Sequence, residues 1–359
     1  MPVTEIRQVT MTAVVEDIKP PARFLKDLLW PTEEPLETET IQIETTSRGR
    51  IAAPFIRKNG EALMVGRPTS SGYSVEAPNI RIKMPLSPST LLYNREPGGL
   101  VFNPAAGSTA SRLRRQIAKD LQTMNDDISN TEEYLCSAAL QGVVTYSVAD
   151  EANFQIDFSK PTANNITLST FWNDATPANV RVLSNFETAK RVVADDGSPT
   201  ITDVILGAEA HDQLLEMIQL ADASSPLKQL LRMDYSISSG GTMDFTRGYT
   251  DGGAIYLGGL AGLNIWAYRN TVSLNGDDVN LVRPKYAEFV SRSNASQRVM
   301  YYGAIPDMQA LQGRSYVGRR FAKSWETPDP SVYYGLVHSR PLPVPRRPGA
   351  TVSMKVISG

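Results

Sequence analysis

SRLRRQIAKDLQTMNDDISNTEEYLCSAALQG, residues 111–142, is the stretch on which the reading of the fold turns. Leu113, Ile117, Leu121, Met124, Ile128 and Leu135 recur at spacings of three, four and seven, which is the period of one face of an α-helix. Ser111 can cap the start and Gly142 can end it. At 1.5 Å per residue such a helix spans about 48 Å, long for an ordinary domain, so it reads as a spine. The acid pairs Asp126-Asp127 and Glu132-Glu133 are assigned to its wet side, as a solvated face or as partners for arginines of another subunit. Cys136, the single cysteine, reads as a buried apolar residue and rules out a disulfide framework within one chain.

Working outward toward the N-terminus, residues 1–38 form an extended arm. Pro20, Pro21, Pro31 and Pro35 forbid a long helix or a central strand there. The arm carries the apolar cluster Phe24, Leu25, Leu28, Leu29 and Trp30, which cannot be buried within the arm itself. Phe24, Leu28 and Trp30 are therefore candidate contacts with a partner subunit, and an arm folded back onto its own core is the alternative. Residues 39–90 begin with a strand, where Ile41 and Ile43 alternate with polar residues. From Arg48 to Ile82 the sequence is rich in Gly, Pro, Ser and Arg and too poor in apolar residues to build a core, so it reads as a long projecting hairpin. Arg48, Arg50, Arg57 and Lys58 are candidate contacts with acids of a neighbouring copy.

Toward the C-terminus, residues 91–180 hold the spine followed by short strands and loops punctuated by Pro161, Asn164, Asn165 and Pro177. Residues 181–285 read as a separate α+β lobe. There the run Val204-Ile205-Leu206, then Gly207, leads into an amphipathic helix around Leu214, Leu215 and Ile218. AIYLGGLAGLNIWAYRN, residues 254–270, reads as two strands joined through Gly258, Gly259 and Gly262. Residues 286–359 return to strand-like alternation, with Val352, Met354 and Val356 in a final strand.

Composition sets limits on what this architecture can do. The 36 basic and 38 acidic residues nearly cancel, leaving a formal charge of −2, so the basic footprint of a protein that grips nucleic acid directly is missing. No window approaches the roughly 18 uninterrupted apolar residues of a membrane span, and the N-terminus lacks the order of a signal peptide. His-Glu-x-x-His, Gly-x-Ser-x-Gly and phosphate-loop patterns are absent. The two histidines, His211 and His338, read as a solvated first-turn residue and a surface or interface residue. No catalytic, cofactor-binding or metal-binding residue is assigned and no cofactor is expected.

Several segments, in order, resemble the lambda-like major capsid protein E family of tailed bacteriophages. FLKDLLWPTEEPLETETIQIE (24–44) is similar to the family's arm and first strand, GRIAAPFI (49–56) to the start of its projecting loop, and PNIRIKMPLSPSTLL (78–92) to that loop's return. Residues 114–142 resemble its spine helix, and ANNITLSTFWNDATP (163–177) and VILGAEAHDQLL (204–215) fall where the family passes into its axial lobe. The most specific part is the tail, residues 301–356, including Lys323-Ser324-Trp325, Asp329-Pro330 and Pro341-Leu342-Pro343.

The resemblance implies the Hong Kong-97-type capsid fold, of class α+β: N-terminal arm, extended loop, peripheral domain on the spine helix, and axial domain. It also implies a structural head protein that assembles with itself into pentamers and hexamers of an icosahedral shell enclosing double-stranded DNA without sequence specificity. A separate scaffolding protein, a portal protein and a decoration or cement protein near arm and loop are the further partners, with the virion capsid as location and the host cytoplasm as the place of assembly. A nanocompartment shell of the same fold and an unrelated soluble enzyme are the alternatives.

Overall fold

The computed structural model describes residues 23–47, 69–86, 109–146, 154–174, 181–195, 200–220, 252–274, 276–292, 298–307, 316–329 and 331–359, with Thr12 and Val15. Its helices are α1 (Phe24–Leu29), α2 (Thr109–Gln141), α3 (Val182–Asp195) and α4 (Ala208–Leu220). The strands up to the second helix are β1 (Thr32–Pro35), β2 (Thr40–Ser47), β3 (Thr69–Glu76) and β4 (Ile80–Leu86). Then come β5 (Val143–Tyr146), β6 (Phe154–Asp157), β7 (Asn165–Thr167), β8 (Asp203–Leu206), β9 (Ala254–Leu260), β10 (Leu263–Tyr268), β11 (Thr271–Leu274) and β12 (Asp277–Asn280). The chain closes with β13 (Tyr286–Val290), β14 (Arg298–Tyr302), β15 (Phe321–Pro328), β16 (Ser331–Ser339), β17 (Pro341–Pro345) and β18 (Thr351–Lys355).

The spine is α2, 33 residues long and so about 50 Å from end to end. It starts at Thr109, which puts Ser111 inside its first turn rather than before it. It stops where Gly142 takes φ +97, a left-handed conformation that glycine adopts without strain. Its apolar stripe serves two cores in succession. Ile117, Leu121, Met124 and Ile128 pack with Leu86, Ala322 and Val337 of the three-stranded sheet β15-β16-β4. Leu135, Cys136, Ala138, Ala139 and Leu140 pack with α1, with the sheet β1-β14-β17, and with Ile205 and Val290 of the largest sheet.

That largest sheet has the order β7-β18-β13-β8-β10-β9. Side chains alternate across it. Val204, Leu206, Ile265, Phe289, Val352 and Met354 face Phe186, Ala189 and Val193 of α3 and Ala210 and Leu214 of α4. A boundary at residue 285 therefore does not divide this body, because β13 and β18 lie between β7 and β8. The unbroken apolar run of β8 is the physical reason: a strand buried on both faces needs neighbours on both edges, and β10 and β13 supply them. The turn between β9 and β10 is Ala261-Gly262, at φ +54 and +75. Two successive positive φ values are what a two-residue type I′ hairpin requires; Gly258 and Gly259 lie within β9 instead.

Prolines 341, 343 and 345 fall on alternate positions of β17, which is an edge strand. The missing N–H groups thus point away from the sheet, the placement that proline tolerates. β2 and β3 form an antiparallel ribbon in unbroken register from Thr40↔Glu76 to Ser47↔Thr69.

Candidate functional site

Two places join an outlying segment to the body: the root of the arm and the root of the β2–β3 ribbon. At the first, α1 turns its apolar side chains inward. Leu25, Leu29 and Trp30 are at most 1% exposed, and the Phe24 ring packs 5.3 Å from Trp266 and 5.1 Å from Tyr268. Leu28 is half-buried against the same core. Phe24 and Trp30 are thus spent inside their own subunit, which corrects their assignment as contacts with a partner. Burial against Tyr268 and the spine is available within the chain, so the arm does not need a second copy to cover this cluster.

α1 brings two cations with it, and the spine answers with two acids. Glu132, fully buried, takes Arg23 Nη1 at 2.5 Å and Lys26 Nζ at 3.1 Å, with Arg320 at 3.5 Å. The Tyr302 hydroxyl donates to Glu132 Oε1 at 3.2 Å and accepts from Lys26 Nζ at 2.9 Å. Burial pushes the Glu132 carboxyl up, but Lys26, Arg320 and Arg23 together overcome it and hold the group at about 2. Glu133 accepts the backbone N–H of Leu25 at 2.6 Å and of Lys26 at 2.9 Å, with the Tyr268 hydroxyl at 3.0 Å. It thereby satisfies two of the N–H groups that the first turn of any helix leaves unpaired. Burial outweighs these bonds and raises its pKa.

Neither glutamate is on a wet face, contrary to the sequence expectation. Glu132 falls four residues after Ile128 and three before Leu135, so the helical period places it on the apolar stripe itself. A charge there persists because it is paired on several sides. Asp127 is exposed as expected, whereas Asp126 is half-buried.

At the second root the polarity is reversed. Arg340, 2% exposed, lies between β16 and β17 and sends its guanidinium to Glu39 at 3.0 Å, just before β2, and to Glu76 at 2.8 Å, the last residue of β3. It also donates to the carbonyls of Ala304 at 3.1 Å and Ala77 at 3.4 Å. Ile41 and Ile43 anchor the ribbon's inner face in the core, while Gln42, Gly72 and Ser74 are exposed. Arg48, Arg50, Arg57 and Lys58 lie outside the described residues.

Both histidines are buried, which corrects their placement at the surface. His211, 5% exposed, faces Arg269 at 2.6 Å from Nδ1. Burial and Arg269 lower its pKa, with Asp212 opposing. His338, 4% exposed, stands between Arg81 and Phe321 in the sheet register. Burial, then Arg81 and Arg340, take it down to about 4. Cys136 is fully buried, and burial raises its thiol pKa. Among the described residues no three His, Cys, Asp or Glu side chains are grouped to hold a metal. Glu132, Arg23, Lys26 and Arg320 at the arm root are shut away from solvent, so what they can do is hold segments in place.

A spine helix shared by two cores, an arm locked onto it and a ribbon leaving the body beside it make up the Hong Kong-97-type capsid fold. The same fold is found in a protein described as a capsid protein of a prophage of E. coli CFT073. The two share 16% identity and a TM-score of 0.66, with 99% of this chain and 100% of that one covered. A chain of Mycobacterium phage Che8 aligns at 12% identity over 94% and 93% of the two chains, TM-score 0.45. The capsid structure of cyanophage P-SCSP1u aligns at 11% over 96% and 90%, TM-score 0.44. No curated protein matches the chain. The family described as phage major capsid protein E matches residues 7–356, and the chain belongs to that family. It is a structural protein of a phage head.

Proposed function

We propose that copies of this chain close into pentamers and hexamers of an icosahedral shell around double-stranded DNA, and that the β2–β3 ribbon holds neighbours together by lying across the adjacent subunit. The observation that carries this is the ribbon itself. Ile41 and Ile43 anchor its root in the core, but among the described residues it pairs with no third strand, and two strands alone are marginal in water. A neighbour supplies the missing surface, with Arg48, Arg50, Arg57 and Lys58 reaching acids there. Many such weak contacts per shell add up through multivalency and closure.

In this reading the chain has no catalytic role. Assembly takes place in the host cytoplasm with a separate scaffolding protein, a portal protein at one vertex and a cement protein near arm and ribbon. The nearly neutral composition suits an inner surface that tolerates DNA without reading it. Deletion of residues 48–68 tests the ribbon's role. Folded subunits that no longer form shells are expected, and shells of normal size from that deletion would sink the idea.

A further inference from the structure

Resting on the shell reading, we infer that Arg340 is a positioning residue that sets the direction in which the β2–β3 ribbon leaves the subunit, and through it the curvature at which neighbours meet. Glu39 immediately precedes β2, and Glu76 is the last residue of β3, directly paired with Thr40. One buried guanidinium therefore grips the outgoing and the returning strand at the same level, at 3.0 and 2.8 Å. Its remaining bonds run to Ala77 on the ribbon side and Ala304 on the body side. A planar cation with five donors can make these bonds together, and an ammonium cannot.

The floor beneath the clamp is equally tight. Gly303 donates its N–H to the Arg340 carbonyl at 2.9 Å. A Cβ on Gly303 would lie 3.1 Å from Ala77 Cβ and 3.6 Å from Arg340 Cβ, so the ribbon root rests directly on backbone. The clamp's acids are half exposed or more, 50% for Glu39 and 70% for Glu76. With the acids solvated and Arg340 also held by two carbonyls, the charges of these pairs add little to folding. The directional role is what they are placed to perform, since each fixes one of the two strands at its exit.

The decisive variant is Glu39→Gln with Glu76→Gln, which removes both charges and weakens the grip, while the amide oxygens and the two carbonyl partners still satisfy the buried arginine. Shell yield and diameter by negative-stain electron microscopy are read beside the thermal unfolding of unassembled subunits. Expected are an unchanged unfolding temperature and about tenfold fewer shells of wild-type diameter, the small angular error recurring at every contact. Arg340→Lys is expected to fail in the same way despite keeping the charge. A second readout does not depend on assembly: the distance distribution between spin labels on Gln42→Cys and Asp127→Cys in unassembled subunits, both positions being exposed and Cys136 buried. It should broaden in the double variant and in Arg340→Lys. Unchanged distance widths, or shells of normal yield and diameter, overturn the inference. Absence of shells from the wild-type protein even with a scaffolding protein added would instead overturn the shell reading and leave the spin-label result to stand on its own.

Discussion

The two roots are built as opposites. At the arm, Glu132 in the body is sealed from water and takes two cations that arrive with the segment, Arg23 and Lys26, beside Arg320 of the body. At the ribbon, the cation is in the body and the acids arrive with the segment, still half in water. Removing Glu132 takes from three buried cations the one carboxylate they share, whereas loosening the clamp leaves its acids in water and the buried Arg340 its two carbonyl partners. The arm root therefore belongs to the fold, and the ribbon root to the way the fold is used.

The sharpest way to break the comparison is Glu132→Ala. Arg23, Lys26 and Arg320 would lose their shared carboxylate, and a loss of about 3–5 kcal/mol is expected in urea unfolding. A loss within 1 kcal/mol, on the order of a surface pair, would show that the arm root is not sealed as described. Glu133→Gln is expected to cost about 1–3 kcal/mol, since the amide keeps the shape but caps α1 less well. In a variant whose arm has been removed its effect should shrink to that of the Tyr268 bond.

Acid separates the groups by pH. Glu132 is depressed from 4.5 to about 2, so its contribution is present above pH 4.5 and is lost as the pH falls toward 2. His338 is depressed from 6.5 to about 4. As a base held neutral it contributes above pH 6.5 and loses that contribution as the pH falls toward 4. Two successive declines are expected in a stability-against-pH curve, and His338→Gln should shrink the upper one alone, leaving the part that His211, also lowered, contributes. Glu133, raised rather than lowered, acts in the opposite sense above pH 4.5 and shallows the upper decline. The smallest effect is expected from Glu39→Gln with Glu76→Gln, below about 1 kcal/mol in unfolding.

Much of this molecule is legible in its sequence where the period is long. The spine's stripe from Ile117 to Leu135, the βα unit at residues 203–220 and the burial of Cys136 follow from spacing and residue type. Burial of Glu132 was legible too: its distance from Ile128 and Leu135 puts it on the stripe, but reading its charge before its position sends it to the surface. Arg23 and Lys26, three apart beside an apolar cluster, were the complementary signal in the arm. The sheet order was hidden, because nothing local in residues 286–290 or 351–355 says that these strands enter between β7 and β8. Arg340 was equally hidden, since its partners lie 301 and 264 residues away along the chain.

The measurement that reaches the central claim most directly is negative-stain electron microscopy of the purified protein together with its sedimentation profile. Closed shells or capsomer-sized rings, sedimenting far ahead of a 39.4 kDa chain, are expected. A uniform monomer or dimer that persists when a scaffolding protein is added would contradict the shell function.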